Sequence, residues 1–276
     1  MTLEILEHAL EITFTVFLMM VVVDWIDVRT RGKAKEWFTG KKFREYVISA
    51  FLSATPGCMG AFLNVSLYIH GFLSFGAIVG AMIATSGDES FVMFAEFPLI
   101  ALLLHVLLFV FGVLFGFITD TISKRWNIQP CTECPAQVYH HEEHSLKHYF
   151  TEHIWQHIIR KHLLRVFLWT LFALWIVALA ERYLQVETFA MNNPYWMILF
   201  AALLGVIPES GPHLIVVMLY SQGSIPFSVL LTSSLVQDGH GLLPMLSYSV
   251  RDAVRIKAFN LVYGLLVGYA AMALGF

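Results

Sequence analysis

The apolar positions of this chain fall into long runs, and the polar positions fall into short breaks within or between them. Residues 98–119, 163–180 and 258–276 are almost continuously apolar. About 20 such residues cross a ~30 Å hydrocarbon core, so each run predicts a transmembrane helix. Residues 8–26 predict another. Their flank is acidic (Glu4, Glu7, Glu11) and no small-residue cleavage site follows, so they read as a span and not as a secretory leader. Two further runs are interrupted. Residues 46–70 contain Pro56-Gly57, and residues 195–220 contain Ile207-Pro208-Glu209-Ser210-Gly211-Pro212. Residues 72–86 are apolar but reach only ~22 Å as a helix at ~1.5 Å per residue. They end in Thr85-Ser86-Gly87-Asp88-Glu89, a string that a lipid-facing helix does not tolerate. Residues 72–97 therefore predict a re-entrant hairpin. Residues 224–249 predict a second, with Gln237-Asp238-Gly239-His240-Gly241 at its turn.

These patterns are one pattern used twice. Adding 152 to a position in 50–118 gives its partner in 202–270 without a gap: Pro56 meets Pro208, Gly71 meets Gly223, and Gly87 meets Gly239. Gly112 and Gly116 meet Gly264 and Gly268. Internal duplication in a membrane protein points to a transporter with its site at the repeat interface. The pairs Gly76/Gly80, Gly112/Gly116 and Gly264/Gly268 have the spacing of helix-packing surfaces.

Composition agrees with a membrane protein. Of 276 residues, 58% are hydrophobic and only 13% charged, where a soluble domain carries about 25% charged residues. The net charge of −3 matters less than where the positive residues lie. Seven of the 17 Lys and Arg fall in 29–44, six in 124–165 and three in 251–257. The positive-inside rule puts these three clusters in the cytoplasm. That placement requires residues 72–97 to return without crossing. Each half then has three crossings and one hairpin, and the odd number inverts the second half relative to the first. The expected fold is an all-α polytopic membrane protein of two inverted repeats, residues 1–119 and 163–276. A cytoplasmic Cys/His-rich loop, 120–162, joins them. The expected location is the bacterial inner membrane.

The polar breaks supply the candidate chemistry. Proline removes an amide hydrogen and glycine permits unwinding, so backbone groups are freed at membrane depth. Freed carbonyls coordinate cations. A carboxylate there costs roughly 2.5–3.5 kcal/mol on insertion scales, so something must offset it. Asp88, Glu89, Glu209 and Asp238 are the leading carriers of a cation or proton, with His240, His213, Asn64 and Cys58 as further ligands. The loop holds Cys131-x-x-Cys134 and then His140, His141, His144, His148, His153 and His157. His144/His148 and His153/His157 each share a helical face. Thiolate and imidazole suit zinc and similar metals, so the loop predicts a zinc-type site that senses, delivers or bridges a homodimer. Tyr68 and Tyr220 read as interface-belt residues.

The strings Thr55-Pro56-Gly57-Cys58, Tyr68-x-x-Gly71, Gly76-Ala77 and Ala84-Thr85-Ser86-Gly87-Asp88-Glu89 resemble the duplicated motif of the methylarsenite permeases. The chain is most similar to their relatives among the heavy-metal exporters, often described as manganese transporters or arsenic efflux proteins, which also have a Cys/His-rich loop between the halves. The resemblance implies export. One departure matters: the permeases carry a Pro-x-Cys-x-Cys patch, whereas here Cys58 stands alone among carboxylates. Soft thiols suit arsenic(III); carboxylate and imidazole suit manganese, iron or zinc. The expected function is gradient-driven export of a divalent metal, manganese favoured over zinc or iron. A permease for arsenite or an organoarsenical is the alternative. No His-Glu-x-x-His motif argues for a metallohydrolase, so no enzyme is expected. The bilayer and the metal are the expected partners, with no nucleic acid.

Overall fold

The computed structural model describes residues 42–87, 89–127 and 194–276, with isolated helical positions between 6 and 21 and between 163 and 175. Asp88 and the loop residues Cys131, Cys134, His140, His141, His144, His148, His153 and His157 lie outside the described residues. The helices of the first half are α1 (Lys42–Ser53), α2 (Met59–Ile69), α3 (Phe75–Ala84), α4 (Glu89–Glu96) and α5 (Pro98–Arg125). Those of the second are α6 (Pro194–Leu204), α7 (Gly211–Ser221), α8 (Phe227–Val236), α9 (Leu242–Tyr248) and α10 (Val250–Ala273). Among the described residues the regular elements are all helical, and one isolated backbone bridge joins Gly57 to Gly87.

The helix bounds follow the sequence repeat. α1, α2, α3 and α5 begin 152 residues before α6, α7, α8 and α10, the separation that also divides Thr85 from Gln237. The helices stop where the chemistry dictates. Pro56-Gly57 separates α1 from α2, and Pro208 falls between α6 and α7. Pro98 starts α5 at a position where its missing N–H has no helical partner anyway. Ser249 opens α10 by accepting the Asp252 N–H at 3.2 Å.

Packing repeats as well. α3 lies against α5 and α1, as α8 lies against α10 and α6. Between halves, α4 packs on α7 as α9 packs on α2, and α3 packs on α10 as α8 packs on α5. Each contact recurs with the halves exchanged, the mark of a two-fold relation. The short helices α3 and α8 are buried along nearly their whole length. α5 and α10 are long and apolar enough to cross a membrane. Their outer faces expose Leu99, Leu102, Val106, Val110, Val262 and Leu266, as lipid contact requires.

The small-residue spacings act in packing. A Cβ at Gly80 would collide with the Gly112 carbonyl, and one at Gly112 would lie 2.6 Å from the Gly80 carbonyl. Gly76 meets Gly116 in the same way one turn on. Without side chains the backbones of α3 and α5 come close enough for dispersion to hold them in an apolar solvent. Two carboxylates hold the start of α3: Asp120 accepts the Gly76 N–H at 2.7 Å, and Glu45 accepts the Ser74 N–H. Negative charge there complements the helix dipole. Tyr46 completes the arrangement by donating to Asp120 at 2.7 Å.

Four expectations change. The chain turns back within 42–70 and not within 72–97. Glu45 at the start of α1 reaches Ser74 beyond the end of α2. α3 starts beside Asp120 at one end of α5, whereas α4 leads into Pro98 at the other. The repeat makes 194–222 the second fold-back in place of 224–249. Tyr68 is buried and donates to Asp252 of the other half at 2.8 Å, so it is no belt residue. The last helix begins at Val250, eight residues before the apolar run, because its first two turns are amphipathic and packed on one side. Lys257 is therefore not part of a solvated basic cluster; it is buried inside the fold.

Candidate functional site

The two helix breaks and the two glycine turns meet at one place. Gly57 donates its N–H to the Gly87 carbonyl at 3.1 Å, tying the α1–α2 break to the α3–α4 turn. Gly239 holds the same place in the α8–α9 turn. A Cβ on Gly239 would sit 3.1 Å from Cys58 Sγ, 3.2 Å from Ser210 Oγ and 3.3 Å from Gly87 Cα. Cys58 and Ser210 are repeat partners, as are Gly87 and Gly239. Both glycines have positive φ, +65° and +51°, which a side chain would strain. Gln237 and Thr85, repeat partners again, are joined directly: Gln237 Nε2 donates to the Thr85 carbonyl at 3.1 Å. Gln237 Oε1 accepts the Gly239 N–H at 2.7 Å and fixes that turn.

A thiol, an imidazole and a carboxylate run in line through this junction. Cys58 Sγ is 3.6 Å from His240 Nδ1, and His240 Nε2 is 2.9 Å from Glu209 Oε1. The same Glu209 oxygen accepts the Ser210 N–H at 3.0 Å. All three side chains are buried. Glu209 Oε2, Ser210 Oγ and His213 Nε2 are buried with no hydrogen-bond partner among the described residues. His213 Nδ1 lies 3.3 Å from Ser233 Oγ. A buried polar atom left unmatched costs about 1–3 kcal/mol. These atoms give the junction a local demand for a cation or for water. His240 points its two ring nitrogens in opposite directions, so the thiol and the carboxylate do not converge. Among the described residues no three Cys, His, Asp or Glu side chains gather about one point. A cation here would combine one or two of these side chains with backbone carbonyls freed at the breaks.

The other expected ligands have different surroundings. Asp238 is fully buried, with Oδ2 2.9 Å from Lys257 Nζ. The ammonium donates to the carbonyls of Gly205 at 2.6 Å and Val236 at 3.0 Å; its contact with Asp238 is an ion pair, and both Asp238 oxygens are buried with no hydrogen-bond partner among the described residues. Lys257 thus neutralises Asp238 and caps the exposed carbonyl ends of α6 and α8. Glu89 is buried in the first turn of α4, and a Cβ at Gly87 would lie 2.5 Å from its Oε2. Asn64 Nδ2 donates to the Ser49 carbonyl, Ser53 Oγ and the Gly60 carbonyl at 2.9–3.0 Å. It braces α1 against α2 and so positions the Cys58 break.

Sequence reading missed Lys257 and a second buried group. His105, in α5, has Nε2 2.8 Å from Ser86 Oγ and Nδ1 2.7 Å from the Ala101 carbonyl. Ser86 lies 2.5 Å from Ser90 Oγ, and Ser90 donates to the Gly87 carbonyl at 2.8 Å. The signal was available for His105, the polar exception in the apolar run 98–119, and Lys257 lies 152 residues after it.

A family model, ArsP_2, described as "Putative, 10TM heavy-metal exporter", matches residues 7–193 and 162–274. No curated protein and no solved structure matches the chain.

Proposed function

The chain belongs to the ArsP_2 family, matched across nearly its whole length, and from that membership we propose a secondary transporter that exports a divalent transition metal. Manganese is the favoured cargo, an ion or proton gradient the driving force, and the bacterial inner membrane the location. The two halves stand inverted, so exchanging their conformations opens the junction to one side and then the other. The basic clusters at 29–44 and 124–165 support this orientation.

One observation carries the reading: the unmatched Glu209 Oε2 and Ser210 Oγ lie in the same buried junction as the Cys58 thiol and the His240 imidazole. That donor set is mixed oxygen, nitrogen and sulfur, and suits a divalent transition ion. The abundance of carboxylate and carbonyl oxygen favours manganese. Asp238 is paired with Lys257 through Oδ2, and its Oδ1, buried without a hydrogen-bond partner among the described residues, is a further carboxylate ligand. The Cys/His-rich loop supplies a zinc-type site that delivers or senses the metal.

The test is growth of expressing cells across manganese, zinc, iron, cobalt and arsenite, with intracellular content measured for wild type and Glu209→Gln. A lowered content of one divalent metal that depends on Glu209 supports the proposal. Lowered arsenic alone would favour the arsenite permease, and unchanged content for every metal would overturn transport.

A further inference from the structure

α2 and α9 come from opposite halves, and each begins at the junction. α2 starts at Met59, beside Cys58, and α9 at Leu242, just after the Gly239 turn. They pack on each other on the way to the cytoplasmic face, where the basic residues Arg251 and Arg255 follow α9. α7 and α4 make the second such pair. α7 starts at Gly211, beside Ser210, and α4 at Glu89, just after Gly87. They pack on each other towards the outer face. The junction therefore lies between two seams, one leading to each side of the membrane, and each seam has one wall from each half.

One position of the repeat closes both seams. Tyr68 stands ten residues beyond Cys58, and Tyr220 ten beyond Ser210. Each thus lies about 15 Å along its helix from the junction. Each reaches the start of the long helix of the other half. Tyr68 donates to Asp252 Oδ2, in the first turn of α10, at 2.8 Å. Tyr220 meets Phe97, the residue that caps α5, with ring centroids 5.1 Å apart and planes at 80°. Both tyrosines stand where buried structure gives way to exposed structure. Arg255, which holds Asp252 Oδ1 at 3.3 Å, is partly exposed, and Gln222, two residues beyond Tyr220, is exposed.

The two closures differ in chemistry. Asp252 has Ile100 as its repeat partner, and Ser249 has Phe97. The inner closure is a hydroxyl on a carboxylate, the stronger class of hydrogen bond. Water replaces that bond for both groups when the seam opens, so it is readily reversible. The outer closure is one ring set edge-on to another, and it needs the ring and not the hydroxyl.

We propose that Tyr68 and Tyr220 are the gates of the transport cycle: Tyr68 shuts the junction from the cytoplasm by its hydroxyl, and Tyr220 shuts it from the outside by its ring. This rests on the transport reading above. With both contacts made, Cys58, Glu209 and His240 are buried and the junction is closed to both sides. Parting Tyr68 from Asp252 opens the α2/α9 seam and admits metal from the cytoplasm. Remaking that contact and parting Tyr220 from Phe97 releases the metal outside.

The test reads access to Cys58 itself, in the full chain with Cys131 and Cys134 replaced by serine and no metal added. A small membrane-impermeant methanethiosulfonate is applied to intact cells and to inside-out vesicles. Tyr68→Phe is expected to speed labelling in inside-out vesicles at least about tenfold, as loss of a hydrogen bond to a charged group implies, and to leave intact cells within about twofold. Asp252→Asn, which keeps an acceptor but not the charge, is expected to act in the same direction and decides the matter where Tyr68→Phe does not fold. Tyr220→Ala is expected to speed labelling in intact cells alone, while Tyr220→Phe, which keeps the ring, changes neither. Faster labelling from both sides in the Tyr68 and Asp252 variants would report a loosened fold and overturn the proposal. Unchanged labelling in folded variants would also overturn it, as would a Tyr220→Phe that matches Tyr220→Ala. Mn²⁺ counterflow of the wild type in liposomes is measured alongside. Counterflow without side-specific labelling overturns the gates and leaves the transport reading standing. Side-specific labelling without counterflow supports the gates and counts against manganese as the cargo.

Discussion

At the scale of single residues, the buried charges separate those that hold the fold from those proposed to bind cargo. Lys257 and Asp238 are both buried and face each other at 2.9 Å. Removing one partner of such a pair leaves an uncompensated charge, which costs about 3–5 kcal/mol. Lys257→Met is therefore expected to lower the detergent-solubilised melting temperature sharply. Lys257→Met with Asp238→Asn removes both charges and is expected to recover most of the loss. A double variant as unstable as the single one would mean that Lys257 acts mainly through the carbonyls of Gly205 and Val236. Glu209 differs in its partner, an imidazole in place of an ammonium, and its Oε2 has no hydrogen-bond partner among the described residues. Glu209→Gln keeps the shape and one acceptor for His240, so stability should change little while metal affinity falls at least about tenfold. Isothermal titration with Mn²⁺ checks this. Cys58→Ser exchanges a soft donor for a hard one. Affinity for zinc should then fall more than affinity for manganese, measured on the same preparation.

At the scale of elements, the breaks were legible and the partners were not. Pro56-Gly57 and Pro208 predicted the interruptions because proline and glycine act locally, through one lost N–H and one permitted φ. The short apolar run 72–86 was legible as a helix too short to span, and α3 is that helix. Lys257 was misread because charge counting along the chain assigns every lysine near a basic cluster to water. Only the neighbour in space, Asp238, distinguishes it. Tyr68 was misplaced for the same reason, its partner Asp252 lying 184 residues away. The glycine spacings do yield a firm expectation. Gly80→Ala puts a methyl group onto the Gly112 carbonyl, in a contact with no flexible side chain to yield. Overpacking of this kind costs about 1–3 kcal/mol. Gly275→Ala, near the end of the chain, meets no atom within 4 Å and bears only the strain of its positive φ of 89°. Thermal unfolding of the two variants side by side should rank Gly80→Ala as clearly the more damaging.

At the scale of the whole molecule, the two halves share a scaffold and differ in chemistry. The starts of four helix pairs, the positive-φ pairs Gly71/Gly223 and Gly87/Gly239, and the packing pairs recur after 152 residues, while the chemistry does not. Cys58 faces Ser210 across the repeat, Ser86 faces Asp238, and His105 faces Lys257. A duplicated scaffold with divided chemistry is what an exchanging transporter needs, since the same motion can then gain or lose different ligands on the two sides. The inverted orientation of the halves can be tested directly at the helix ends. His70 closes α2 and Gln222 closes α7, at the same position of the repeat; His70 is half-buried and Gln222 exposed. With the basic clusters inside, His70 faces the cytoplasm, on the side of Glu45, Ser74 and Asp252, and Gln222 faces the outside, where Tyr220 meets Phe97. Cysteine placed by His70→Cys or Gln222→Cys, with the native Cys58, Cys131 and Cys134 replaced by serine, should react with a membrane-impermeant maleimide from opposite sides. Inside-out vesicles should label the first variant, and intact cells the second. Labelling of both from the same side would make the repeats parallel, and a symmetric exchange of conformations could no longer carry the junction from one face of the membrane to the other.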